Sequence, residues 1–261
     1  MRYLAYSMKS FISRSVYRFD HFMGIFNTCL QIFIFWCIYK SLYGSAEEID
    51  GITLAMVTTN FILSLGLSSA FSIDEYYLPS RISSGNIGNE LLKPINFKGI
   101  ILAEDFGNIC FNLVFQFTPA LLIAIFTIGM LKPVSIAAFF CFILSTILGF
   151  FVLWCVSLVV QTTSFWLINV WSITTIKNVL IKVLSGSMLP LWFMPEWMQG
   201  VIAFTPFSSI YFTPVQIYLG EISGSDILIS FIKQCLWILI LYCIGEFLWN
   251  KGIKKLVVQG G

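Results

Sequence analysis

The chain has 261 residues, of which 58% are hydrophobic and 11% charged, with a net charge of +2. A water-soluble domain carries about 25% charged residues and cannot hide so much apolar surface, so composition excludes a soluble fold and implies a polytopic membrane protein. So small a net charge carries no argument for nucleic acid, and no nucleic-acid partner is expected.

Residues 1–20 are expected to form an amphipathic helix lying on the membrane. Leu4, Met8, Phe11, Phe19 and Phe22 recur at helical spacing, while Arg2, Lys9, Arg14 and Arg18 supply a basic side. No uninterrupted apolar core or small-residue cleavage site marks a removable signal there. Span one is predicted at residues 22–43, followed by the acidic turn Glu47-Glu48-Ile49-Asp50-Gly51. Span two, residues 52–73, has a small polar face (Thr58, Thr59, Ser64, Gly66, Ser68, Ser69) suited to close packing against protein. Each span meets the requirement of about 20 apolar residues.

Residues 74–98 form the longest polar connection. Pro79 opens one short helix that Gly85 can end, and a second runs towards Leu91-Leu92 before Pro94 stops it. Such a loop either contacts a partner or is a solvated connector. Span three, residues 100–130, carries Glu104-Asp105 near its start, where acids suit the positive end of the helix dipole. Span four covers residues 134–161 and span six residues 227–249.

Span five leads from about residue 165 into a break at Gly186 and Pro190. Four of the eight prolines (Pro190, Pro195, Pro206, Pro214) interrupt the apolar stretch 185–220. Proline lacks an amide donor and clashes with the preceding turn. Lipid tolerates such backbone only where it is buried, lines a cavity, or dips in and returns. An outward-facing re-entrant helical hairpin between helices 5 and 6 is therefore expected at 190–220, with Gly186, Pro190 and Pro195 as hinge points and Trp197 at headgroup level.

Lys177 and Lys182 lie inside span five. They either snorkel or pair structurally, or they line a translocation path. Lys233 and Glu246, near the ends of span six, read as anchors at the water boundary. The seven cysteines fall in apolar stretches without CxxC spacing and read as small hydrophobes rather than metal or disulfide ligands. No Gly-Lys pair occurs, so no P-loop is present; no HExxH or GxSxG occurs either, and His21 is the only histidine. An enzyme is a poor fit.

Lysine and arginine set the orientation. The N-terminal segment, the 74–98 connection and the tail hold ten, whereas the opposite side holds Lys132 alone. Both termini are thus expected to be cytoplasmic. No internal repeat is apparent, which weighs against an inverted-repeat carrier.

These pieces together resemble the membrane subunit of an ABC type-2 exporter, in its bacterial drug- and viologen-export-like branch. The matching residues are Ser185-Gly186 through Leu189-Pro190-Leu191, Phe193-Met194-Pro195-Glu196-Trp197, Pro206-Phe207 and Pro214-Val215-Gln216-Ile217-Tyr218-Leu219-Gly220. Arg81-Ile82-Ser83-Ser84-Gly85, Leu91-Leu92-Lys93-Pro94 and the terminal Val258-Gln259-Gly260-Gly261 also match. The resemblance implies an all-α, single transmembrane domain of six helices in the bacterial cytoplasmic membrane. It implies that ATP and Mg are bound by a separate P-loop ATPase, with no cofactor or catalytic residue in this chain. The coupling helix would lie between Asp74 and Lys93, placing Arg81, Ser83, Gly85, Asn86, Glu90, Leu91, Leu92 and Lys93 at the ATPase. A second permease, either a copy or a sister subunit, would face this one in the membrane lipid. Spans one, two and five would line the path, and the region around Pro190 to Pro206 would act as gate. The cargo implied is hydrophobic or amphipathic and moves outward. The rival readings are a stand-alone channel or carrier, and a non-transporting membrane scaffold or immunity subunit.

Overall fold

The computed structural model describes residues 2–167 and 169–256, with only the backbone of Arg18. The predicted terminal match at Val258-Gln259-Gly260-Gly261 lies outside the described residues. The molecule is almost entirely helical. Helix α1 (Arg2–Ser15) leads into α2 (Arg18–Tyr43), and a two-residue hairpin, β1 (Glu48–Ile49) with β2 (Ile52–Thr53), follows. Asp50 and Gly51 both adopt left-handed φ values, 51° and 77°, as a tight hairpin turn requires. Next come α3 (Leu54–Ala70), α4 (Tyr77–Ser83), α5 (Ile87–Leu91) and α6 (Phe97–Asn112). A π-helical turn at Leu113–Phe117 joins α6 to α7 (Thr118–Thr127). The remaining helices are α8 (Ile136–Thr162), α9 (Trp171–Leu184), α10 (Glu196–Ala203), α11 (Phe212–Leu219) and α12 (Ser225–Ile253).

Among the described residues, four helical stretches are long and apolar enough to cross a membrane: Phe19–Tyr43, Phe97–Thr127, Ile136–Phe165 and Ser225–Ile253. Helices α3 and α9 have 17 and 14 residues, or about 25 and 21 Å at 1.5 Å per residue. Both are shorter than the predicted spans two and five. Span five starts late because the chain leaves α8 through a 3-10 turn (Thr163–Phe165), and Asn169 Oδ1 then accepts the Trp171 N–H at 2.8 Å.

Helix α8 is the centre of the molecule. Val152, Leu153, Trp154, Cys155, Val156, Ser157 and Leu158 are all buried, so this half is covered on every side. Against it pack α12, α11, and the Phe71 and Tyr211 rings, the latter two 5.8 Å apart. Gly149 lets the 207–210 turn approach: a Cβ there would sit 2.5 Å from the Ile210 carbonyl oxygen. At the same level Gln234 of α12 donates to the Ser145 and Ser209 carbonyls at 3.0 and 2.9 Å, and its Oε1 accepts the Ser145 hydroxyl at 3.1 Å.

Helix α1 departs from the expectation in which face it uses. It runs beside α6 in the same direction: Tyr3 Oη accepts the Asn96 N–H, Ser10 bonds Asn108, and Phe11 meets Phe111 edge-on at 5.3 Å. The packed face alternates the Tyr3 and Phe11 rings with the small Ser7 and Ser10, and a Cβ on Gly107 would overlap the Ser7 carbonyl. Leu4, Met8 and Ile12 point outward. Arg14, predicted on the wet side, turns in to Asn108 Oδ1 (3.1 Å) and Ser72 Oγ (3.1 Å). Glu104 and Asp105 also differ from the reading. Asn96 caps α6 through the Gly99 N–H, so the helix starts at Phe97 and the acids lie two turns inside it rather than at its end.

Candidate functional site

Three regions hold the residues that the sequence singles out. The first is the α4–α5 connection. Leu78 and Ile87 are buried against Phe97, Ile101, Phe165 and Trp249. The Trp249 ring stacks on Phe97 at 5.8 Å and meets Phe165 edge-on at 5.4 Å. This aromatic cluster fixes the loop on the ends of α6, α8 and α12. Tyr77 donates to Glu104 Oε1 at 3.5 Å, and burial together with that carboxylate pushes its phenol up to about 12, so it stays a neutral donor. Arg81 lies 5.3 Å over the Tyr77 ring. Gly85, with φ of 73°, ends the first short helix as predicted, although that helix opens at Tyr77, ahead of Pro79.

Of the predicted coupling residues, Ser83, Gly85, Asn86, Leu91, Leu92 and Lys93 face outward, and Leu92 is 84% exposed. Glu90 is buried instead and accepts Lys93 Nζ at 2.7 Å. That bond holds the Lys93 ammonium above its ordinary value. Nearby, Lys98 pairs with Glu246, so this expected boundary anchor is tied to α6.

The second region is the proline-broken stretch. Gly186 is buried with φ of 74°, and Asn60 Nδ2 donates to its carbonyl at 3.4 Å. Pro190 and Pro206 are also buried; Pro195 precedes α10. Trp197 and Val201 of that helix and Phe204 just beyond it form an exposed apolar stripe. Gln199 Nε2 binds the Met194 carbonyl at 2.7 Å, locking α10 to the preceding turn.

The third region is polar and lies among α2, α3, α9 and the π-helical turn. Lys177 is buried, pairs with Glu75 and donates to Ser157 Oγ at 3.0 Å. This lysine therefore has a structural partner and at the same time lines a cavity. Behind it Asp105, 1% exposed, accepts the Asp74 N–H at 3.1 Å through one oxygen. A cavity of about 250 Å³ bounded by Glu75, Lys177, Tyr211 and Lys182 adjoins one of about 380 Å³. The two share Ser68 and Lys182. The larger is walled by Asn27, Gln31, Gln116, Phe35 and Met188. A further cavity of about 530 Å³, at Arg14, His21 and Asn112, shares Ser69 and Gln116 with it. His21 packs on Phe111 at 4.5 Å, and its Nε2 lies 2.6 Å from the Arg14 carbonyl oxygen. The structure thus brings Lys177 and Lys182 to one cavity and keeps both apart from the α4–α5 surface.

Asn27, Gln31, Gln116 and Glu75 escaped the sequence reading. The signal was present in two amides four residues apart within an apolar span, which a helix brings to one face.

A model of the ABC-2 family transporter proteins matches residues 25–260. The chain belongs to that family. It is therefore a multi-pass ABC-2 permease, the membrane component of an ABC transporter, and the family implies an ATP-binding partner. A comparison with curated protein sequences gives no match. Among the described residues of the permease, no His, Cys, Asp and Glu cluster could hold a metal, and all seven cysteines are free.

Proposed function

We propose that this permease is an exporter subunit with six spans in the bacterial cytoplasmic membrane, both termini inside. Helices α3 and α9 would complete the four long spans. The short α9 is compensated by the stretch that follows it. Ser209 bonds Gln234, the tenth residue of α12, about 13 Å along that helix from its start. Tyr218 Oη, at the end of α11, donates to the Leu131 carbonyl beside the start of α8. A segment that reaches this depth and climbs back supports the re-entrant hairpin, with Gly186, Pro190, Pro195, Trp197 and Pro206 at its bends as gate.

ATP and Mg would be held by the partner ATPase, which docks on the exposed Ser83, Gly85, Asn86 and Leu92 of the α4–α5 surface. Leu78 and Ile87 anchor that surface to three long helices, so a push there moves the ends of α6, α8 and α12 together. A second permease and the surrounding lipid would close the path along α2, α3 and α9, and the cargo would be hydrophobic or amphipathic. The observation that carries this reading is the polar cavity system on those three helices, in a chain of this family. Isolation of the chain from native membranes in mild detergent tests it. Co-purification of a P-loop ATPase and ATP-driven outward movement of cargo are expected; reproducible recovery of the chain alone, with intact spans, overturns it.

A further inference from the structure

The charges around the adjoining cavities are not balanced. Within the cavity of about 250 Å³, Lys177 is neutralised by Glu75. Lys182 reaches both this cavity and the one of about 380 Å³, and the ion pairs among the described residues are Lys93–Glu90, Lys98–Glu246 and Lys177–Glu75. No carboxylate lines the larger cavity, whose other polar groups are neutral amides and hydroxyls, including Asn27, Gln31, Gln116 and Ser68. Its charge is that of one ammonium, carried by a lysine exposed to the open volume. Within that cavity a cationic guest would meet Lys182 with no acid in the wall; Glu75 and Asp20 line only the cavities on either side. An anionic head meets an ammonium, with amide N–H donors around it, and charge-assisted bonds of this kind are the strong ones. The same cavity has an apolar wall of Phe35, Leu65 and Met188, which suits a hydrocarbon portion joined to that head.

We propose that the cavities around Lys182 bind an amphipathic molecule by an anionic head, a phosphate or carboxylate, and that this is the cargo class of the permease. The cargo role rests on the exporter reading above; the binding site does not. Lys182 holds the head, Asn27 and Gln31 orient it from one face of α2, and the Phe35–Met188 wall takes the tail. The Lys177–Glu75 pair stays neutral and keeps the neighbouring space from repelling either end.

The test uses the full chain, with whatever accompanies it from native membranes, in phosphatidylcholine nanodiscs without nucleotide. Dodecyl phosphate is expected to bind about tenfold more tightly than dodecyltrimethylammonium, the gap a single charged hydrogen bond sustains. Lys182→Gln should lose that advantage and Lys182→Arg should keep most of it, which separates loss of charge from loss of fold. If phosphatidylglycerol added to the nanodiscs displaces dodecyl phosphate, the head belongs to a membrane lipid. If it does not, a free amphipath is the guest; both results uphold the anion site. Equal binding of dodecyl phosphate to wild type and Lys182→Gln overturns it, as does tighter binding of the cation. Loss of a co-purifying second permease from Lys182→Gln, with dodecyl phosphate binding unchanged, also overturns it and makes the cavity a subunit contact. Because binding is read without nucleotide, failure to recover an ATPase sinks the exporter reading while leaving the anion result legible.

Discussion

Gln234 and Lys182 are both polar residues in apolar helices, and their surroundings are opposite. Gln234 is fully buried, its two N–H groups and its oxygen all spent on Ser145 and Ser209. Lys182 faces open volume, the larger part of which no carboxylate lines. A polar group that lipid cannot solvate must either be satisfied inside the protein or open onto a space that holds something else. The first arrangement fastens helices together; the second leaves capacity for a guest. Lys177 lies at the edge of the open region but belongs to the fastened class, because Glu75 and Ser157 take up two of its three donors.

The contrast is sharpest where a fastened charge is stripped of its partner. Glu75→Leu, or Lys177→Met, should destabilise the permease by about 3 kcal/mol, since either leaves a buried charge alone. The double replacement should recover most of that loss in detergent unfolding. If each single variant is as stable as wild type, the pair is solvated and belongs with Lys182. Next in size, Gln234→Leu removes three hydrogen bonds and should cost about 2 kcal/mol by the same measurement. At Lys182 the comparison predicts the reverse: Lys182→Gln should shift stability by less than about 0.5 kcal/mol, as at sites without partners. A large loss there would erase the distinction.

Outside both tracts, Leu92→Asp should leave stability within about 0.5 kcal/mol. It should abolish stimulation of the partner's ATP hydrolysis by cargo, provided the α4–α5 surface is where the ATPase docks. Normal stimulation in a well-assembled variant moves the docking surface elsewhere.

Much of this was legible in the chain. The apolar runs of α2, α8 and α12, the two short helices divided by Gly85, and the small-residue face of α3 follow from composition and spacing. Gly66 on that face does receive the Phe117 ring. What escaped depended on distant partners. Glu75 and Lys177 are 102 positions apart, and nothing local joins them. The face α1 presents was misread because Ser7 and Ser10 look like solvent residues until Gly107 is seen to leave room for them. The open cavity was half visible, in the spacing of Asn27 and Gln31, but Gln116 reaches it from another helix.

The π-helical turn at Leu113–Phe117 has an arithmetic consequence. Asn112 and Ala120 are eight residues apart, and on an unbroken α-helix they would lie about 80° from one another around the axis. The wider turn absorbs one extra residue. That cuts the offset to about 20°, at 100° per residue. Asn108, Asn112, Ala120 and Ala124 are all buried, and they fall near one line. One helix can therefore show amides in its first half and close-packing alanines in its second on a single face. Winding the turn as plain α-helix with every residue kept would leave α6 seated and rotate all of α7 by about 100°. Ala124 would then swing away from Ile32 and Ile62, the residues it packs against.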